Sequence, residues 1–367
     1  MTEPSKPTLS ALLDEALSLP ASQRLPWVDR LGPECEAHRA RLRAMLTRAN
    51  ESERLLGTLP KLDTTGADDF AQFASSAHAA GARIGSYTLL RMLGAGAMGV
   101  VWLARDVRDD QTNAPEVAIK LAHVASKRAD LHARLAREKE LLAKLDHPNI
   151  ARFLNGGLTK QGQPYLVLER VRGERLDEYC RGHAPTLPQR LALFLQVALA
   201  VAHAHDRAIL HRDLKPANVM VSDAGVVCLL DFGVGKLLTG DIPEELQLSA
   251  VAGRPHTPAY ASPEQLFGHD VGPASDVYSL GVILYELLTG ARPYQRHEGS
   301  GFTLCRAILE ELPVAPSRHA GSLLNALPPL QRAELDGLAI EALRKRANER
   351  VRSARELANA IHDLLHA

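Results

Sequence analysis

The spacing of apolar positions changes twice along the chain, and the changes divide it. Across residues 9–56 these positions recur at helical spacing, with Leu12, Leu13, Ala16 and Leu17 on one stripe and Leu42, Met45 and Leu46 on another. Pro20 and the Gly32-Pro33 pair punctuate them, so residues 1–57 read as a small helical hairpin or bundle. A stretch rich in Ser, Thr, Gly and Ala follows and predicts a linker over 58–83. From Tyr87 short β-rich runs take over at 87–93, 100–105, 117–123 and 165–169, with one helical run at 134–145. Beyond Leu176 the helical period returns at 189–206, 275–288, 301–312, 329–344 and 354–366. The expected class is α+β. One domain over 84–367 would have a β-rich small lobe at about 84–169 and a helical large lobe at about 172–367, after an extra N-terminal helical segment.

The longest apolar run, 191–204, is broken by Gln196 and His203 and is shorter than a bilayer requires. It reads as a buried core helix, and no membrane insertion is expected within these residues. The first residues lack the charged-then-apolar pattern of a leader. Lys plus Arg and Asp plus Glu both total 43, so no net field selects nucleic acid as a partner. Cys35, Cys180, Cys228 and Cys305 are scattered, which argues against a zinc site or disulfide framework and fits a reducing cytoplasm. His203 and His205, two apart on a helix, face different sides and read as packing residues rather than a metal pair. His211 and Cys228 are also assigned to packing.

Four short motifs then add chemistry. Gly94, Gly96 and Gly99 form a G-x-G-x-x-G-x-V run whose backbone amides can approach phosphates. The residues after it, Val100-Val101-Trp102-Leu103, are strand-like, which favours a glycine-rich hairpin over a dinucleotide-binding turn. In Val117-Ala118-Ile119-Lys120 a cation sits on an apolar strand and needs an anionic partner, for which Glu138 in the next helix is the expected choice. Lys120 would then hold the α- and β-phosphates of a nucleotide. The run His211-Arg212-Asp213-Leu214-Lys215-Pro216-Ala217-Asn218 supplies a carboxylate able to accept a hydroxyl proton at Asp213. It also carries a cation at Lys215 and a carbonyl oxygen for a hard metal ion at Asn218. Asp231-Phe232-Gly233 adds a second hard oxygen ligand after a short apolar strand. Ser262-Pro263-Glu264 and Asp276-Val277-Tyr278-Ser279 follow in order.

Together these residues resemble the bacterial eukaryotic-like (Hanks-type) serine/threonine protein kinases, over about three quarters of the chain. The resemblance implies a two-lobed protein kinase fold and transfer of the γ-phosphoryl group of ATP to protein hydroxyls, with Mg2+ or, as a substitute, Mn2+. It places Leu168 at the gatekeeper position, the backbone of Glu169, Arg170 and Val171 against adenine, and Val101, Ala118 and Met220 around the adenine ring. Arg350 would salt-bridge Glu264. Lys215 and Thr257 match the serine/threonine subclass, with Thr257 bonded to Asp213 and Lys215. Ala217 replaces a glutamate of some relatives and removes one acidic contact for basic substrates. Arg212 and Lys236 are expected to face an activation segment whose candidate phosphorylation sites are Ser249 above all, and Thr239. The competing reading is a catalytically silent pseudokinase acting as a binding scaffold. Its usual mark, loss of the lysine or of either aspartate, is not found. The N-terminal helices carry no chemical signature, and homodimerisation or docking of a partner is the role considered for them.

Overall fold

The computed structural model describes residues 12, 16, 21–32, 35, 38–39, 42–43, 46, 79–96, 99–107, 115–122, 131–232, 259–295 and 301–366. Two compact units result. In the first, α1 (Ala21–Asp29) and its surroundings gather Leu12, Ala16, Val28, Cys35, Leu42 and Leu46 into a small buried core. The Arg43–Asp29 ion pair at 2.9 Å lies on its surface. Leu13, Leu17 and Met45, expected on the same stripes, lie outside the described residues.

The second unit begins with a six-stranded antiparallel sheet of order β1-β2-β3-β4-β6-β5. Its strands are β1 (Arg83–Ile84), β2 (Tyr87–Gly96), β3 (Gly99–Asp106), β4 (Glu116–Ala122), β5 (Phe153–Leu158) and β6 (Pro164–Glu169). Alternation sorts the faces of β4: Val117, Ile119 and Leu121 are buried with Tyr87, Leu89, Trp102 and Val167, while Ala118 and Lys120 point the other way. Ala118 stands opposite Leu168 and Lys120 opposite Leu166, which sets the register of the sheet face that roofs the site. Between β4 and β5 lies α2 (Leu131–Leu142), anchored by Leu135 and Leu142. β5 is absent from the sequence expectation because Asn155, Gly156 and Gly157 at its centre are poor strand formers. It forms because β6 supplies a partner along its length.

Below the sheet the chain is helical. A three-stranded sheet β7-β8-β9 (Glu174–Arg175, Val219–Val221, Val227–Leu229) marks the junction. The helices are α3 (Leu176–His183), α4 (Leu187–His205), α5 (Pro263–Phe267), α6 (Pro273–Thr289), α7 (Gly301–Glu310), α8 (Pro329–Ala342) and α9 (Ala354–His366). α4 starts where the Thr186 amide donates to Gln189 Oε1 at 2.8 Å, with Pro188 pre-set for the first turn. Its 19 residues are long and apolar enough to cross a membrane by composition, yet it packs against α6 and α9 at the centre of the core. The core-helix reading therefore agrees with its packing, and the helix is longer than the apolar run inside it. α6 is buried nearly all round, with Leu280, Ile283 and Leu287 in the main core and Tyr278, Val282 and Tyr285 in a second cluster beside α7.

Candidate active site

One glycine at each end of the cleft has a clear steric reason. Gly99 has φ 149°, and a Cβ there would lie 2.0 Å from the Leu121 carbonyl oxygen. Gly173, at φ 147° just past the inter-lobe segment, would place a Cβ 2.2 Å from Val221 O. Both let two strands of backbone approach where no side chain fits. Val101, Ala118, Leu168, Val171 and Met220 are all half-buried; Val101 stands opposite Lys120 and Ala118 opposite Leu168 on one sheet face, and Met220 stands opposite Arg175 in the smaller sheet. Arg170 and Arg172 pair with Glu116 on β4, which ties the segment after β6 to the sheet. The Glu169 amide donates to Arg152 O at 2.9 Å, and its side chain accepts from the Arg152 amide at 3.0 Å.

The floor is the loop 211–218. Asp213 Oδ2 accepts from Lys215 Nζ at 2.8 Å and from Asn218 Nδ2 at 3.1 Å. Asn218 Nδ2 also donates to the Asp213 carbonyl at 2.7 Å, so the amide nitrogen is committed and the amide oxygen is free to meet a cation. The 3-10 turn Pro216–Asn218 sets this pair, and Asn218 O in turn accepts the Leu230 amide at 2.8 Å. That bond ties the loop to the segment carrying Asp231. Asp231 adopts φ 55° and its Oδ1 lies 3.0 Å from Lys120 Nζ, bridging floor and roof.

Beneath the loop lies a carboxylate the motifs did not single out for this task. Asp276, 1% exposed at the start of α6, accepts the amides of His211 at 2.8 Å and Arg212 at 2.9 Å, and His205 Nε2 at 2.8 Å. Burial pushes its pKa up, but the His205 hydrogen bond, the nearby imidazoles and the backbone donors outweigh burial and hold it below the usual carboxylate value. Arg212 sits in the left-handed region at φ 64°, a conformation sustained by this carboxylate and by Gln265 Nε2 donating to Arg212 O at 2.8 Å. His205, expected to be ordinary packing, is instead a bonded partner of Asp276. The sequence signal for both was an acidic residue opening an apolar helix, which is stable only where donors converge. His211 is fully buried, which lowers its pKa; its Nε2 bonds Leu230 O at 3.0 Å and its ring meets Phe232 at 4.8 Å. It packs the loop, as expected.

Glu264 and Arg350 meet as expected, through two bonds of 2.7 Å, with Ser275 Oγ donating to Glu264 at 2.6 Å. Lys120 has Asp231 as its described partner. Glu138 lies on α2, but its side chain is outside the described residues. Gly94 and Gly96 lie in β2, opposite Val101 and Gly99. Thr257, Thr239, Ser249, Lys236 and Gly233 are also outside the described residues. The donor chemistry fits a hard divalent ion, with one amide oxygen and one carboxylate at the floor. The half-buried apolar side chains of Val101, Ala118 and Leu168, which share one face of the sheet with Lys120, fit the base of a nucleotide.

The family described as Protein kinase domain matches residues 87–360. The chain belongs to the protein kinase family. It is 34% identical over 277 residues to the "Probable serine/threonine-protein kinase" of Corynebacterium efficiens, a match covering 74% of this chain and 40% of that protein. It is 35% identical over 282 residues to serine/threonine-protein kinase PknB of Mycobacterium tuberculosis, covering 74% and 41%. With serine/threonine-protein kinase PksC of Streptomyces coelicolor the identity is 36% over 279 residues, covering 74% and 47%. The matched part thus spans less than half the length of these relatives. The kinase domain is of the bacterial Hanks type, and kinases of this family use ATP with a divalent metal ion.

Proposed function

We propose that this chain is an ATP-dependent serine/threonine protein kinase in which Asp213 orients the acceptor hydroxyl and takes its proton. The supporting observation is the contact set around Asp213: one carboxylate oxygen is shared by Lys215 Nζ and Asn218 Nδ2, on a loop tied to the segment of Asp231. Lys215, 2.8 Å from that carboxylate, is placed to offset charge on the transferring group. Lys120 orients the nucleotide phosphates, and Gly94, Gly96 and Gly99 line them from β2 and β3. Asn218 and Asp231 would hold Mg2+, or Mn2+ in its place; the ion, when bound, offsets phosphate charge. Val101, Ala118, Leu168, Glu169, Val171 and Met220 enclose the base. Glu138 as a partner for Lys120 and Thr257 as a partner for Asp213 complete the reading.

The division into a helical segment at 1–57, a linker at 58–83 and a kinase domain at 84–367 belongs to the same proposal, as does action on protein substrates in the cytoplasm. In this reading a phosphate on the activation segment would pair with Arg212, and Ser249 first and Thr239 second are the proposed autophosphorylation sites. The N-terminal helices would serve docking or homodimerisation. Radiolabelled ATP with a generic acceptor protein tests the reading: Asp213→Asn should reduce transfer by about 100-fold or more while preserving the fold. Transfer that persists in that variant overturns the role given to Asp213.

A further inference from the structure

A second histidine contact lies outside the cleft, on the edge of the large lobe. His147, in the turn after α2, meets His203 of α4 at 4.8 Å between ring centroids. Each ring is bonded as an acceptor. His147 Nδ1 receives the amide of Asn149 at 3.1 Å, and Arg207 Nη1 lies 3.3 Å from His203 Nδ1. A guanidinium can only donate, so both histidines carry their proton on Nε2, and a second proton on either Nδ1 would meet an N–H already there. The charged neighbours are mixed. Asp146 flanks His147 on its own turn, Asp206 and Arg207 close α4, and Arg355 reaches in from α9 and bonds Asp206 at 2.8 Å. Burial first, then the adjacent ring and the two arginines, lower the pKa of His147. Burial first, then Arg207, does the same for His203, against the opposing pull of Asp206 and Asp146.

The turn held by this contact is stitched to the strand that leads to Asp231. Asn149 O accepts the Leu229 amide at 2.8 Å, the Ala151 amide donates to Leu229 O at 2.9 Å, and Ile150 bridges Leu229 in parallel. Asn149 Nδ2 also donates to Val227 O at 2.7 Å and to Gln196 Oε1 at 3.0 Å. β9 therefore rests on residues 149–151, and its end lies two residues before Asp231.

We propose that His147 and His203 form a positioning contact for Asp231, acting through residues 149–151 and β9, and that it stays closed only while both imidazoles are neutral. The inference rests on Asp231 being a metal-holding residue of the kinase reading. In the open turn each histidine titrates near its ordinary value of about 6.5. The closed contact is fully favoured above that pH and is weakened as pH falls below it, by about tenfold per histidine for one unit of acidification. Hydrogen exchange, corrected for its intrinsic pH dependence, reads this at the Ala151 and Leu229 amides without requiring activity. Between pH 7.5 and 5.5 the wild type should lose about tenfold or more of its protection there. The pair His147→Asn with His203→Phe should remove the dependence, because the asparagine oxygen can accept the Asn149 amide without titrating. His211 is common to both proteins, so only the difference between them counts.

If the paired variant does not fold, the wild type decides alone: by proton NMR both ring C2–H resonances should titrate below 6.5, and titration at or above it overturns the proposal. Protection independent of pH, or an equal loss in the folded variant, also overturns it. An activity profile over the same range should show the variant keeping more of its pH 7.5 turnover at pH 5.8 than the wild type. Absence of any ATP-dependent transfer at pH 7.5 would sink the kinase reading and leave the exchange result standing.

Discussion

Lys120 and Asp276 show how a single charge is made tolerable in this molecule. Lys120, 12% exposed, is held by Asp231 at 3.0 Å, so the cation shares one contact with the carboxylate proposed to hold the metal. Lys120→Met should therefore leave folding largely intact yet raise the KM for ATP and lower kcat by about 100-fold or more, measured in steady-state assays. Asp276 differs because it is buried and accepts three donors. Asp276→Asn offers one acceptor and turns an N–H2 toward a donor, which should cost about 3 kcal/mol in urea unfolding and also reduce kcat through the Arg212 backbone. A variant with unchanged stability would show that the loop does not depend on this carboxylate. The contiguous residues of 211–218 were legible in the sequence because one loop carries them all. The Lys120–Asp231 and His205–Asp276 contacts were not, since they join residues far apart in the chain whose meeting depends on packing.

Between elements, the Glu264–Arg350 pair ties α5 to the turn before α9. Arg350 has no exposed side-chain surface and also donates to the carbonyls of Arg344, Ala274 and Lys345. Burial raises the Glu264 pKa, but the Arg350 and Ser275 hydrogen bonds dominate and hold it at about 2, against 4.5 for an ordinary glutamate. Between those values the unfolded chain binds more protons than the folded one. The contribution is therefore complete above about pH 4.5 and drains as pH falls toward 2. Glu264→Gln should flatten that part of the pH–stability curve and lower stability at pH 7 by about 3–5 kcal/mol, because Arg350 would keep a buried charge without its partner. Thermal denaturation across pH 3 to 7 reads both effects. This pairing was legible from motif order. The short elements α3 and β5 were not, because β5 is glycine-rich and depends on β6, while α3 is only eight residues long and its apolar pattern is correspondingly brief.

At the scale of the whole kinase domain, the β-rich and helical lobes were visible as a switch from period two to period 3.6, and the residues proposed for the chemistry lie where the two meet. Glycines at 99 and 173 and the Lys120–Asp231 contact set the cleft, so a nucleotide there should touch both lobes and stabilise them together. A ligand that binds only the folded state adds RT ln(1 + [L]/Kd), about 2.7 kcal/mol at one hundred times Kd. Saturating ATP with Mg2+ should raise the unfolding temperature of the wild type and, to nearly the same extent, of Asp213→Asn, whose aspartate is assigned to the acceptor hydroxyl. Lys120→Met should lose most of the shift. Transfer activity should follow the other division, present in the wild type and lost in both variants. Differential scanning calorimetry beside a transfer assay separates the two assignments. If Asp213→Asn loses the thermal shift as fully as Lys120→Met, then Asp213 contributes to holding the nucleotide and metal rather than to the proton transfer alone.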